Sequence, residues 1–434
     1  MNEREFALQV VQRLQEAGYQ TLWAGGCVRD ELLGIQPKDY DVATAARPEE
    51  VRGLFRRTIA VGMSFGVVEV LGPRLDGDFL KIQVATFRAD GEYSDGRHPD
   101  KVTFCSARED ALRRDFTVNG MFKDPIKDEL LDYVGGQEDL KAGVLRAIGD
   151  PFARFEEDKL RMVRAARFAT RFRLAIDPAT ADAARQMAHL VPEVVSAERI
   201  AEEFRKLLVD PERVRGVGLL VDLHLLEPLL PELGTLVDTS RWSIILKVLG
   251  TLGPSPSFPL AFAGLLSEMA ERLDEPQQAV QRYEALSRAE NMTEGICLRL
   301  KLSNAEKDRT CWLVANQRVL ANARTMRLSR IKRVLVHDGI RELLALHRAK
   351  AVAVDESLQE VEYCEHLLDT LSMEELDPAP LITGADLIQR GLKPGPMFRD
   401  LLEKVRDEQL EGTIATFDEA MVVVSQILDE RAGG

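Results

Sequence analysis

Apolar residues spaced three and four apart over residues 4–17 predict an amphipathic helix at the start of the chain. The apolar period then shortens. Tyr19–Ala24, Asp39–Ala43, Ile59–Gly62, Val67–Leu71 and Phe79–Phe87 predict short strands, with the link MSFG between the third and the fourth. After Asp150-Pro151 the character changes. Spacings of three and four dominate to the end, and strand patterns nearly vanish. Pro254, Pro256 and Pro259 interrupt this helical region, as do Pro378 and Pro380. There is no convincing internal repeat and no low-complexity tract. The pattern predicts an α+β chain, with a small mixed head over residues 1–150 and an all-helical remainder.

One segment carries most of the chemistry: LWAGGCVRDELLGIQPKDYDVAT, residues 22–44. Gly25 and Gly26 follow an apolar run, and glycine lets backbone come close to a ligand, with N–H groups able to cradle a phosphate. Arg29-Asp30 follows, then a short helix-like stretch and a polar turn. In Asp39-Tyr40-Asp41-Val42, strand alternation puts both carboxylates on one face. Two adjacent carboxylates repel, so they call for a cation. A hard divalent ion such as Mg²⁺ suits oxygen ligands and also takes substrate phosphates.

The string GG-x-VRD-x-LLG followed by D-x-D resembles the nucleotidyltransferase superfamily related to DNA polymerase beta. The longer match is similar to class II tRNA nucleotidyltransferases (CCA-adding enzymes) and bacterial poly(A) polymerases. A bare D-x-D is weak, since alternating acids are usually a solvated strand face; the full string is specific. The resemblance extends over nearly the whole chain. It implies a polymerase-beta-like head over residues 1–150, a helical neck with the nucleotide-selecting motif over 151–210, a helical body over 211–370 and a helical tail over 371–434. It also implies Mg²⁺ held by Asp39 and Asp41, with CTP, ATP and the 3′ end of tRNA as partners.

Further blocks carry the resemblance. In EDALRRDFTVNGMFKDP, Arg113 and Arg114 suit either triphosphate oxygens or a carboxylate such as Asp115. RRDFT-x-N is similar to the family's second motif, which implies nucleotide contacts from Arg114, Asp115 and Asn119. The residue after Asn is usually Ala there; Gly120 is expected to matter little. In DYVGGQEDL, Gly135 and Gly136 predict a turn, with Asp139 capping a helix or holding a hinge. In EEDKLR, Asp158 and Arg161 stand three apart on an expected helix, and so on one face. They read either as an ordinary helix ion pair or, from the resemblance to E-D-x-x-R, as the pair that reads the incoming base. Arg164 and Arg167 continue that side toward the phosphates. ERIAEE resembles E-R-x-x-x-E, with Ser196 at a cap position, Arg199 beside the reading helix, and Glu198 and Glu203 as supports. The polar stretch 88–102, with Tyr93, Asp95, Arg97 and Pro99, resembles the loop that full CCA-adding and A-adding enzymes carry and CC-adding relatives lack. Arg327, Arg330, Lys332 and Arg333 read equally as a tRNA backbone grip or a solvated helix face.

Two departures stand out. Many relatives carry an acid three residues before the Thr of the strand LKIQVATFR, where this chain has Gln83. Asp39 and Asp41 are expected to suffice, because positioning and metal electrostatics dominate phosphoryl transfer. Some relatives carry a His-Asp phosphohydrolase site in the helical half; here Ser267-Glu268 and Ala315-Asn316-Gln317 stand instead, and no such activity is expected. The segment TIAVGMSFGVVEV also lacks the basic string that poly(A) polymerases tend to carry after the second strand.

Composition adds bounds. A chain of 434 residues exceeds one compact core, and 45% hydrophobic content is ordinary for a globular protein. Five scattered cysteines and six unclustered histidines argue against a disulfide framework or zinc site and fit a cytoplasmic location. The charged N-terminus has no signal-peptide pattern, and no apolar run is long enough for a membrane span. The net charge of −14 argues mildly against nucleic-acid binding when taken alone, but leaves room for a local basic track. The expected function is template-independent addition or repair of the tRNA CCA end, with release of pyrophosphate. A poly(A) polymerase or an A-adding enzyme of the same family is the alternative.

Overall fold

The computed structural model describes residues 1–62, 66–75, 77–90, 102–269 and 279–432. The chain divides into two compact units, Met1–Gly234 and Thr235–Gly434.

The first unit opens with α1 (Glu3–Glu16), whose Phe6, Ala7, Val10, Val11 and Leu14 are buried. Asn2 caps it through a capping box with Glu5. A seven-stranded sheet follows in the order β3-β4-β5-β2-β1-β8-β9. Its strands are β1 (Thr21–Ala24), β2 (Val42–Thr44), β3 (Thr58–Gly62), β4 (Val67–Leu75), β5 (Asp78–Thr86), β8 (Phe122–Asp124) and β9 (Glu129–Leu131). β6 (Arg88–Asp90) and β7 (Val102–Phe104) form a separate antiparallel pair. β10 (Val144–Leu145) and β11 (Ala175–Ile176) make a short parallel pair. Within the main sheet β2 and β5 run parallel, and the other described pairings are antiparallel. The remaining α-helices of this unit's described residues are α2 (Gly26–Leu32), α3 (Pro48–Leu54), α4 (Ala107–Leu112), α5 (Gly136–Ala142), α6 (Pro151–Glu157), α7 (Leu160–Arg171), α8 (Pro178–Met187), α9 (Val191–Val194), α10 (Ala197–Leu208), α11 (Arg213–Asp222), α12 (Leu226–Leu229) and α13 (Pro231–Gly234). Leu22, Ala24, Ala43, Phe87, Ala107, Ala111 and Phe122 form the core beneath the sheet's central strands.

Among the described residues of the second unit, the regular elements are all helices. The α+β class is therefore as expected, and the expected strands form within a few residues of their limits. One differs in a way that matters. Asp39–Ala43 was expected as strand, but β2 begins only at Val42. β1 ends at Ala24, where Gly25 at φ 70° turns the chain into α2, so residues 39 and 40 have no β1 partner. The alternation survives even so: Asp39 and Asp41 are exposed, while Tyr40 and Val42 between and after them are buried.

Candidate active site

A crevice of about 600 Å³ in the first unit gathers nine cationic side chains and four carboxylates. Of the expected residues it brings together Gly25, Gly26, Arg29, Asp39, Asp41, Arg114, Asp115, Asn119, Asp158, Arg161, Arg164 and Arg167. Residues more than 130 positions apart in sequence thus face one cavity.

One wall is made by β1, α2 and the residues before β2. The Gly25 N–H donates to the Met121 carbonyl at 3.0 Å, so it is not available to cradle a phosphate; Gly26 opens α2. A Cβ on Gly25 would meet Arg114 Nη1 at 2.8 Å. Arg29 is buried, donates twice to Asp30 Oδ1 (2.6 and 2.9 Å) and once to Asn119 Oδ1, and lies 4.0 Å from the centre of the Phe172 ring. Burial raises the Asp41 pKa above the usual carboxylate value; Arg114 opposes the shift and Asp39 adds to it. Loss of solvent inside the crevice is the main cause, with the Asp39 charge a smaller one, and a cation would offset both. In the parallel register Val42 lies beside Val84, and Asp41 and Gln83 each stand one residue before that pair. Among the described residues no group of three or more metal-ligating side chains is present. The pair would therefore need water and substrate oxygens to complete a hard cation's shell.

The second wall is an arginine–carboxylate lattice. Arg113 and Arg114 both pair with buried Asp110, at 2.7 and 3.0 Å, rather than with Asp115. Asp115 accepts from Arg164 (2.6 and 3.0 Å), Asn119 and the Phe116 N–H. Burial pushes the Asp115 pKa up, but Arg164 and Asn119 outweigh it and bring it down to about 2. Glu203 on α10 pairs with Arg167 and lies 3.7 Å from Arg164.

Asp158 and Arg161 do not share a helix face. α6 ends at Glu157, and Asp158 is extended (φ −150°, ψ 104°) between α6 and α7. Its carboxylate takes the Leu160 N–H at 3.1 Å and two Arg199 bonds at 2.7 and 3.2 Å. A short acid bonding nearby backbone competes with helix, which accounts for the break. Arg161 donates to Glu157 and to the Arg154 and Arg113 carbonyls. Both residues reach the crevice, but from separate anchorages and not as an ion pair with each other. Ser196 occupies the N-cap position of α10, but its side chain makes no capping bond.

Two smaller expectations change. Asp132, not Asp139, caps α5, accepting four backbone N–H groups from Val134 to Gln137. Asp139 instead holds Thr117 at 2.7 Å and Arg146 at 3.1 Å. Gly120 is not a neutral change: a Cβ there would lie 2.7 Å from Val134 Cγ2 and 3.0 Å from Ile148 Cδ1.

Sequence reading missed Asp110, Phe168, Arg171 and Lys206. Asp110 stands three and four before Arg113 and Arg114, and Arg171 continues the stripe Arg164–Arg167, so helical spacing could have found both. Phe168 and Lys206 carry no such signal. Tyr93, Asp95, Arg97 and Pro99 lie outside the described residues.

In the second unit, the expected basic run does not present one surface. Arg327 and Arg330 are exposed, Lys332 is buried, and Arg333 pairs with Asp407 at 2.8 Å. Ser267, Glu268 and Gln317 converge on the buried Lys350, while the Asn316 carbonyl meets His347. The Lys350 ammonium donates to the Ser267 carbonyl (3.1 Å) and Gln317 Oε1 (2.6 Å) and pairs with Glu268 (3.1 Å). No described helix is long and apolar enough to cross a membrane.

Known proteins resemble this chain in sequence and in fold. Residues 21–146 match the poly(A) polymerase head-domain model, and residues 278–424 match the tRNA nucleotidyltransferase domain 2 model. A CCA-adding enzyme of Limosilactobacillus fermentum is 32% identical over 427 residues, covering 95% of this chain and 94% of the relative. Poly(A) polymerase I of Escherichia coli is 42% identical over 242 residues, covering 52% of this chain and 50% of the relative. The crystal structure of the Bacillus stearothermophilus CCA-adding enzyme with CTP shares the fold, with a TM-score of 0.73 over the full length of both chains at 24% identity.

Proposed function

The chain belongs to the family of CCA-adding enzymes and bacterial poly(A) polymerases, and from that membership we propose that it builds or repairs the 3′-terminal CCA of tRNA from CTP and ATP, releasing pyrophosphate. The observation that carries this reading is the span of the match. Similarity to CCA-adding enzymes reaches the length of both chains, whereas similarity to the E. coli and Salmonella poly(A) polymerases covers half to two thirds of each. Poly(A) synthesis is the second reading, because poly(A) polymerases stand among the relatives at 42% identity over that half.

Asp39 and Asp41 are the residues that would hold Mg²⁺, since both carboxylates are exposed to the crevice and repel each other without a cation. Bound there, the ion supplies activation of the RNA 3′-hydroxyl and charge stabilisation on the leaving pyrophosphate. The arginine excess of the opposite wall binds and orients the triphosphate. Arg114 is set by Asp110, and Arg164 by Asp115, so these forks stand ready with little further ordering. Asp158 offers an acceptor and Arg161 donors to the base edge. CTP and ATP each present an amino donor next to a ring-nitrogen acceptor, and UTP and GTP reverse that pattern. A neck over 151–210, with α7 as its centre, carries this selection in the four-part division of head, neck, body and tail. The exposed Arg327 and Arg330 add a weak grip on the tRNA backbone. A tRNA-processing role places the protein in the cytoplasm.

The test is incubation of the purified protein with tRNAs ending before the CCA, after the first C and after the second C, each with labelled CTP or ATP. CTP should enter the first two and ATP the third. Repeated ATP addition to all three, and to an unstructured RNA, supports the poly(A) reading instead.

A further inference from the structure

Both side chains proposed to read the base are already part-occupied by the protein. A carboxylate has about four lone-pair positions, shared equally between its oxygens. On Asp158, Oδ1 takes the Leu160 N–H at 3.1 Å and Arg199 Nη1 at 3.2 Å, and Oδ2 takes Arg199 Nη2 at 2.7 Å. Among the described residues, three positions are therefore filled and one, on Oδ2, is open. Arg161 is the complement. Its Nη1 donates to the Arg154 carbonyl (2.8 Å) and to Glu157, and its Nη2 donates once, to the Arg113 carbonyl (3.2 Å). That leaves the Nε–H and one Nη2–H without a protein acceptor among the described residues.

The pair thus offers a single acceptor beside free donors. That suits one amino hydrogen and one ring nitrogen, the edge shared by cytosine and adenine. Guanine differs in kind, because its N1–H and N2–H₂ stand side by side. Two parallel donors are what an open carboxylate takes best, one on each oxygen, as it takes an arginine fork. Uracil has only its N3–H, set between two carbonyls. Arg199, from the first turn of α10 and 41 residues on, already fills the fork-binding edge of Asp158.

We infer that Arg199 excludes GTP by occupying both oxygens of Asp158, which leaves that carboxylate one acceptor in place of two. The inference rests on the reading of Asp158 and Arg161 as the base-reading pair. Arg199 acts through Asp158, so it is a positioning residue. Its effect is rejection of a wrong partner more than attraction of the right one. Lysine in its place keeps the charge but not the two-pronged grip.

The experiment measures kcat/KM for CTP, GTP and UTP on a tRNA lacking CCA, for wild type, Arg199→Ala, Arg199→Lys and Asp158→Ala. Arg199→Ala should raise GTP use relative to CTP by at least about tenfold, the worth of one further charge-assisted bond. UTP use should rise by less than about threefold, because uracil gains no second bond. Arg199→Lys should admit GTP over UTP in the same way. A merely structural role would lower all three rates together and leave GTP and UTP unseparated. Wild-type rates and selectivity in Asp158→Ala overturn the base-reading pair itself. Relaxed selectivity there, with GTP still excluded by either Arg199 variant, overturns the role of Arg199 alone. An equal rise for GTP and UTP also overturns it, because a loosened site and not a freed carboxylate is then the cause. Arg199→Lys decides the matter if Arg199→Ala fails to fold.

Discussion

Replacing Gly25 with alanine would test how the glycine pair builds the crevice. Gly25 has φ 70° and ψ −118°, a conformation that L side chains rarely adopt, and the new Cβ would lie 2.8 Å from Arg114 Nη1. Holding a side chain in such a region costs about 1–3 kcal/mol. Displacing Arg114 also breaks its 3.3 Å bond to the Asn119 carbonyl, worth on the order of 1.5–3 kcal/mol for a charged donor. Some of that returns if Arg114 keeps Asp110, so about 2–4 kcal/mol is the expected loss. For a unit of 234 residues this lowers Tm by roughly 5–15 °C. Because Arg114 faces the crevice, KM for CTP should rise as well. The assay is thermal unfolding and CTP addition for Gly25→Ala, Arg114→Ala and the double variant. Part of the effect passes through Arg114, so the two should be non-additive by at least about 0.5 kcal/mol. A Tm and KM unchanged in Gly25→Ala, or full additivity in the double variant, refutes the argument.

Three further outcomes follow from the geometry. Gln83→Glu should keep or raise activity and change the Mg²⁺ dependence, because it restores an acid near the aspartate pair; total loss with the fold intact would assign Gln83 an unrecognised role. Asp158→Ala and Arg161→Ala should slow addition and admit UTP or GTP, since unpaired polar groups are what reject a mismatched base; wild-type rates and selectivity in both would remove the base-reading role. In the second unit, burial lowers the His347 pKa from 6.5 to about 4, with Lys350 and Arg318 adding to the shift and the Asn316 carbonyl opposing it. A group neutral in the folded state and charged in the unfolded one stabilises fully above the unfolded pKa. Stability should therefore fall as pH drops from 6.5 towards 4, by up to about 3 kcal/mol. Denaturant unfolding against pH checks this, and His347→Gln should flatten that slope.

The head and its chemistry were legible because they are written in short strings: the strand periods, the glycine pair, the alternating acids. Alternation placed Asp39 and Asp41 on one face even though the ladder starts later, because burial of Tyr40 and Val42 imposes the same period. What remained hidden depends on contacts far apart in sequence. Spacing of three suggested a helix pair for Asp158 and Arg161, but Arg199, 41 residues away, claims the Asp158 carboxylate. Of the two roles expected for Asp139, a cap or a hinge tie, Asp132 takes the capping N–H groups and Asp139 ties Thr117 to Arg146. Gly120 looked like an incidental loss of a methyl, yet Val134 and Ile148 fill that space.

The most direct measurement is the 3′ sequence made from a tRNA lacking CCA when all four nucleoside triphosphates are present. The account predicts products that end in CCA and stop there, formed by the wild type and absent with Asp39→Ala or Asp41→Ala. Runs of A, products containing U or G, or CCA made by either aspartate variant at wild-type rate would contradict it.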